Sequence, residues 1–269
     1  MQINSERLSN YKFLTFSLLF IGLAIVIADF FGKDVAKIVG NSLYTPVAGI
    51  GVVLSLILAY RFRGEGTHGK AWIIFTVFIA SWFVAEEIWM VYDLIYDIDP
   101  FPSPADLFYL LGYPFYFFFM IFYLKSVKKA ISKKILISTS LISIAIVIPT
   151  LYFAIDVGSD ISEFERVLAA TYPIADAIIL IPAMIGMVLF FKGEVNFMWS
   201  LMSLAIVLNV VADTGFLITN LDDSYYTGSL LDMLFLWAYV LFIFGIYSHI
   251  KIFKTHSYEK EYCDVEDLK

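Results

Sequence analysis

The sequence predicts an all-α, polytopic membrane protein of eight transmembrane helices, and three observations predict it. Hydrophobic residues make up 60% of the 269 and charged ones only 16%, giving a mean hydropathy of +0.81, too apolar for a domain surrounded by water. The apolar residues gather into eight runs of about 20, the length that carries a helix through a bilayer with every backbone group satisfied inside the segment. Lysine and arginine fall between these runs with a strong bias to one side, as the positive-inside rule requires.

The first run, Phe13 to Phe31, follows Arg7 and Lys12. It is longer than a signal-peptide core and no small-residue cleavage site follows, so it reads as a retained anchor. The second is Leu43 to Tyr60, and the third, Ala71 to Tyr96, carries Glu86, Glu87 and Asp93. The fourth, Pro104 to Tyr123, opens on Ser103-Pro-Ala-Asp106, the form of a helix start with a serine cap, proline at the first position and an acid at the third. Ile135 to Ile155 is the fifth. The sixth, Val167 to Phe191, holds Asp176, and the seventh, Phe197 to Ile218, holds Asn209 and Asp213. The eighth, Ser229 to Ser248, opens on Ser229-Leu-Leu-Asp232, repeating the cap and the acid.

Eight crossings put fifteen of the eighteen basic residues on one side and leave Lys33, Lys37 and Arg166 on the other. The expected protein is therefore a multi-pass protein of the cell membrane with both termini in the cytoplasm. The net charge of -7 gives no reason to expect nucleic acid as a partner, since the basic residues sit where topology already explains them. The lipid bilayer is the partner the composition demands. Cys263 is the only cysteine, so no intrachain disulfide forms and it reads as an ordinary reduced thiol.

The chain also resembles itself. Ser103, Asp106, Tyr113 and Lys125 recur 126 residues later as Ser229, Asp232, Tyr239 and Lys251. At the same offset Val84-Ala-Glu-Glu87 matches Val210-Val-Ala-Asp213, and with a one-residue gap Pro46-Val-Ala-Gly49 matches Pro173-Ile-Ala-Asp176. The expected organisation is two parallel four-helix repeats, residues 1–130 and 131–253, followed by a short cytoplasmic tail, 254–269. Repeats of even helix number share a direction and are related by an axis along the membrane normal, where a pocket is the natural expectation.

Helix rise fixes depth, and every intramembrane carboxylate lies in the outer half: Glu86, Glu87, Asp93, Asp176 and Asp213, with Asp106 and Asp232 at helix starts. Glu86, Trp89 and Asp93 share one helix face, and Asn209 and Asp213 another. Such residues normally face the bundle, pair, or mark a ligand path. The apolar interiors of the runs contain no Lys, Arg or His. The acids must then be protonated, held by hydroxyl, indole or amide donors, open to water, or neutralised by something that is not protein. The last option predicts a cationic ligand or a divalent cation, with Glu87, Asp176 and Asp213 as metal ligands. Trp82, Trp89, Tyr92, Tyr113, Tyr172 and Tyr239 lie near the same level as donors or a cation-binding cage. Asp106 and Asp232 have capping as an alternative role.

Several classes are argued against. A retinal protein needs an intrahelical lysine for its Schiff base, and haem or intramembrane zinc sites need suitably placed histidines. His68, His249 and His256 read as loop or helix-end residues on the cytoplasmic side. No nucleotide-binding glycine loop, kinase motif or nucleophile elbow is present. Aspartyl catalysis by Glu87 with Asp213 across the pseudo-axis is compatible with their positions, but nothing else points to hydrolysis.

In combination, Pro102-Ser-Pro-Ala-Asp-Leu-Phe-Tyr-Leu-Leu-Gly-Tyr-Pro114, Tyr172-Pro-Ile-Ala-Asp176, Ala212-Asp213 and Tyr226-Thr-Gly-Ser-Leu-Leu-Asp232 followed by Trp237 and Tyr239 resemble the eight-helix N-terminal membrane sensor domain of bacterial diguanylate cyclases and related signalling proteins. The likeness covers residues 82 to 245. It implies a signal-sensing role for Glu87, Asp106, Asp176, Asp213 and Asp232. Those proteins continue into a cytoplasmic output domain, whereas about twenty residues follow the last run here, so the expected output of a sensor is a separate cytoplasmic signalling protein or a change in its own assembly. The expected function is a stand-alone membrane sensor or ligand-binding protein with an outward-facing acidic pocket formed by these acids with Asn209, Trp89, Tyr113, Tyr172 and Tyr239. A secondary transporter or channel is the alternative, and an intramembrane lipid-acting enzyme the third reading.

Overall fold

The computed structural model describes the backbone of residues 2–156, 162–190, 196–222 and 224–266, and side chains within 11–152, 162–190, 196–220, 222 and 224–251. Among the described residues, eight helices are long and apolar enough to cross a membrane, and no strand is present. They are α1 (Gln2–Phe30), α2 (Lys33–Phe62), α3 (Gly66–Met90), α4 (Pro104–Leu124), α5 (Lys133–Asp156), α6 (Glu163–Phe190), α7 (Asn196–Leu221) and α8 (Asp232–Glu266). The chain is a multi-pass membrane protein by this architecture.

Two boundaries differ from expectation in ways that matter. Helix α2 begins ten residues earlier than its apolar run, because Gly32 with φ 109° turns the chain sharply after α1 and lets the polar segment from Lys33 wind at once. Helix α8 does not stop at the end of its apolar run but continues to Glu266, taking in the backbone of most of the expected tail. Side chains beyond residue 251, Cys263, Tyr258, Tyr262 and His256 among them, lie outside the described residues.

Local sequence accounts for the helix starts. Ser103 Oγ accepts from Ala105 N at 3.1 Å while Asp106 Oδ2 accepts from Ser103 N at 2.7 Å, a reciprocal capping box with Pro104 at the first helical position. The start of α8 solves the problem differently. Asp232 Oδ2 accepts from Gly228 N, and Ser229 Oγ, expected as the cap, is buried without a hydrogen-bond partner. Gly228 adopts φ +86°, and a Cβ there would lie 2.0 Å from the Ala36 carbonyl oxygen on α2. Only glycine lets this loop lie so close to the helix.

Six helices close a ring in the order α2, α3, α4, α6, α7, α8, with α8 returning to α2. Helix α1 lies outside against α2 and α8, and α5 outside against α6 and α7. Their outer faces expose Leu19, Leu23, Ile137 and Leu141, as suits contact with lipid. Between helices the bilayer offers no hydrophobic driving force, so close packing and buried hydrogen bonds hold the ring. At the α3–α4 crossing a Cβ on Gly112 would sit 2.3 Å from Trp82 Nε1. The indole instead donates to the Tyr109 carbonyl at 3.0 Å. Below that crossing, toward the N-terminal end of α3, Trp72, Phe75, Phe78, Phe119, Tyr116 and Phe242 are fully buried. They interlock edge-to-face or tilted at ring separations of 4.7 to 6.2 Å.

Candidate functional site

At the other end of the ring the same helices stop filling their interior with phenylalanine and enclose a cavity. The space open to the centre of a water-sized sphere is about 70 Å³, against roughly 10 to 15 Å³ for one water molecule. Its wall is assembled from matched positions. Helix α3 supplies Trp82, Glu86 and Trp89, and α7 supplies Asn209, Asp213 and Phe216 at identical spacings. Helix α4 supplies Asp106, Tyr109 and Tyr113, and α8 supplies Asp232, Phe235 and Tyr239, again at identical spacings. Tyr44 of α2 and Tyr172 of α6 complete it, with Tyr225 and Thr227 from the segment before α8.

Four carboxylates and no Lys, Arg or His line this space among the described residues. Each carboxylate is held by a tyrosine. Tyr239 donates to Glu86 Oε1 at 2.8 Å, Tyr113 to Asp213 Oδ2 at 2.9 Å, Tyr172 to Asp106 Oδ1 at 2.5 Å and Tyr225 to Asp232 Oδ1 at 2.8 Å. Asn209 Nδ2 adds a second donor to Asp213 at 2.8 Å. Asp106 therefore does both things that the sequence left as alternatives: one oxygen caps α4 and the other faces Tyr172. Asp232 likewise divides its oxygens between Gly228 N and Tyr225.

Asp176 stands just behind the wall. Its Oδ1 meets the Tyr113 hydroxyl at 3.1 Å, and its Oδ2, on a residue 1% exposed, has no hydrogen-bond partner. One hydroxyl hydrogen cannot serve both Asp176 and Asp213. With Asn209 donating to Asp213, that hydrogen can serve Asp176.

Of the expected site residues, Glu86, Trp89, Asp106, Tyr113, Tyr172, Asn209, Asp213, Asp232 and Tyr239 come together, and Asp176 joins through Tyr113. Two do not. Glu87 follows Glu86 on α3 and so points about 100° away from it; it is half-buried, with Oε1 lacking a hydrogen-bond partner, and it does not line the cavity. Asp93 sits in a π-helical turn, Val91–Ile95, that continues α3. The wider turn carries it off the face of Glu86 and Trp89, onto α2, where Asn41 Nδ2 donates to it at 2.7 Å and Lys37 pairs with it at 3.1 Å. Lys37 is thus a cationic partner for Asp93, one that the apolar runs did not contain because α2 was expected to start after it. Tyr92, expected at the cage, packs on Tyr96 instead.

Glu87, Asp176 and Asp213 do not form a metal site. No group of three or more His, Cys, Asp or Glu able to hold a metal ion occurs among the described residues, since each cavity acid faces its own tyrosine. His68 stands in the first turn of α3, a helix end as expected, whereas His249 is fully buried within α8; the two Nε2 atoms lie 3.1 Å apart.

Tyr44, Tyr109, Phe216, Tyr225, Thr227 and Phe235 were missed by sequence reasoning. The signal for two of them was present, since Tyr109 and Phe235 both stand three residues after a matched aspartate. Beyond Tyr225 and Thr227 lies a second, polar recess of about 300 Å³ that includes Lys33, Lys37, Asp93, Asp97 and Tyr226. Trp89 Nε1 donates to Thr227 Oγ1 at 3.1 Å, fixing the partition between the two spaces. Comparison with protein-family models, curated proteins and solved structures found no match.

Proposed function

We propose that this chain is a cell-membrane binding protein of the sensor kind, whose cavity takes a small organic cation. The observation that carries this reading is four carboxylates facing one enclosed, aromatic-walled space with no cationic side chain lining it. Buried charge without a partner is costly in a membrane, and an ammonium group would supply the missing charge. Tyrosine and tryptophan faces add cation–π attraction. An organic cation suits the site better than a metal ion, because no three acids converge. The sensing role is supported by the resemblance of residues 82 to 245 to membrane sensor domains, with a cytoplasmic signalling protein as partner. An outward-facing site and cytoplasmic termini are supported by the fifteen-to-three distribution of basic residues.

The decisive measurement is the melting temperature of the detergent-purified protein with methylammonium, tetramethylammonium, calcium or magnesium, for wild type and Asp213→Asn. A ligand that prefers the native state raises its stability. Stabilisation of wild type alone by an ammonium ion supports the reading. No effect of any cation, with the variant as stable as wild type or more so, sinks it.

A transporter is the second reading, favoured by the helix arrangement. The contact of α2 with α8 is answered by that of α4 with α6, and α1 on α2 by α5 on α6, the pattern of two parallel four-helix repeats about an axis through the cavity. In this register Glu86, not Glu87, is the counterpart of Asp213. Against transport stands the dense aromatic packing below the cavity, where Trp72, Phe75, Phe78, Phe119 and Phe242 are fully buried. Uptake of labelled methylammonium into proteoliposomes, abolished by Glu86→Gln, would reverse the ranking.

A further inference from the structure

The cavity is not one acidic cluster but two, built alike. In the first, Glu86 accepts from Tyr239, whose ring packs at 6.2 Å and 83° on Tyr44, whose hydroxyl reaches the Asp232 carbonyl at 3.4 Å. In the second, Asp213 accepts from Tyr113, whose ring packs at 6.3 Å and 72° on Tyr172, whose hydroxyl reaches the Asp106 carboxylate at 2.5 Å. Helix by helix, α3, α8 and α2 in one nest are replaced by α7, α4 and α6 in the other. Trp82 stands between them, its ring 5.8 Å from Tyr113 and 6.0 Å from Tyr239.

Resting on the reading of the cavity as a cation site, we infer that its ligand carries two positive charges on one short chain, as a linear α,ω-diamine or polyamine does. Each nest takes one ammonium group, and the methylene stem lies along Trp82. The stem suits that surface because alkyl groups next to ammonium are weakly hydrated and pack on aromatic faces. Holding both charges in one molecule loses translational freedom once instead of twice, so the second contact forms at high effective concentration. Behind the second nest lies a further acid, Asp176, whose buried Oδ2 has no hydrogen-bond partner. The nests are not equal: the first has Gly49 where the second has Asp176 in the matched sequence.

The test is calorimetric titration of the full-length purified protein with 1,3-diaminopropane through 1,6-diaminohexane, each against the n-alkylamine of equal carbon number. At the best-fitting length the diamine is expected to bind at least tenfold more tightly than its monoamine. Glu86→Gln and Asp213→Asn, each checked for an intact melting transition, should separately erase that advantage. Equal affinity for diamine and monoamine in wild type overturns the two-headed ligand and leaves the single-cation reading standing. So does a diamine advantage that survives in both variants. Absence of binding by every amine overturns both readings, and this comparison in wild type requires no variant to fold.

Discussion

The two ends of the helix ring solve the problem of a membrane interior in opposite ways. Near the N-terminal end of α3, rings of Trp72, Phe75, Phe78, Phe119 and Phe242 fill the space completely. Three turns further along the same helices, Glu86, Asp213 and the tyrosines that hold them leave it open. The closed end is made of groups that need nothing but contact, and dense packing supplies that. The open end is made of carboxyl groups that meet tyrosine hydroxyls and, among the described lining residues, no cationic side chain. Stability is therefore expected to reside in the first region and function in the second.

Substitutions that separate these roles should rank accordingly. Gly112→Leu, which drives a side chain into the Trp82 indole where even a Cβ would lie 2.3 Å away, should give the largest effect, with no cooperative thermal transition and aggregated protein on size exclusion. Phe78→Ala, in the closed end, should cost about 3 kcal/mol by truncating a fully buried ring, read as a lowered denaturation midpoint with cation binding preserved at low temperature. Glu86→Gln should do the reverse, leaving the unliganded midpoint unchanged or raised, since it removes a buried acid that faces no cationic side chain in the cavity wall, while diamine binding falls at least tenfold. An unliganded destabilisation by Glu86→Gln as large as that of Phe78→Ala would break the division. Lys37→Met, at the half-buried pair with Asp93, should cost about 1 kcal/mol, more at low ionic strength than at high.

The smallest effect is expected at Tyr226, outside the spans. Its hydroxyl donates to Asp29 at 2.5 Å, and that bond, with a lesser contribution from burial, holds the phenol above its ordinary range. A raised folded value stabilises the protein below the ordinary tyrosine pKa of about 10, and the contribution fades as pH rises through the folded value. Tyr226→Phe should flatten the alkaline limb of the melting temperature above about pH 10 and leave neutral pH nearly untouched.

Most of the architecture was legible in the sequence, because a bilayer leaves the chain few choices: apolar length sets the crossings. The acids of the site were legible for the same reason. What escaped was direction. Glu86 and Glu87 are adjacent, and only packing decides which faces inward; the repeat register read from sequence chose Glu87. Asp93 was misplaced because periodicity assumes 3.6 residues per turn, and the π-helical turn at Val91–Ile95 breaks it. Lys37 was out of view because α2 starts in a polar segment. Tyrosines are ordinary in membrane proteins, so Tyr225 had no signature of its own.

The face of α3 has one more consequence. From the histidine contact at one end to the cavity at the other, His68, Trp72, Phe75, Phe78 and Trp82 touch in succession, with centroids 6.3, 5.5, 5.4 and 4.6 Å apart. A close-packed column of rigid rings has little room to compress. A tilt of the Trp82 indole would press first on Phe78 and then down the column toward its base, where His68 meets His249 at the junction of α3 with α8.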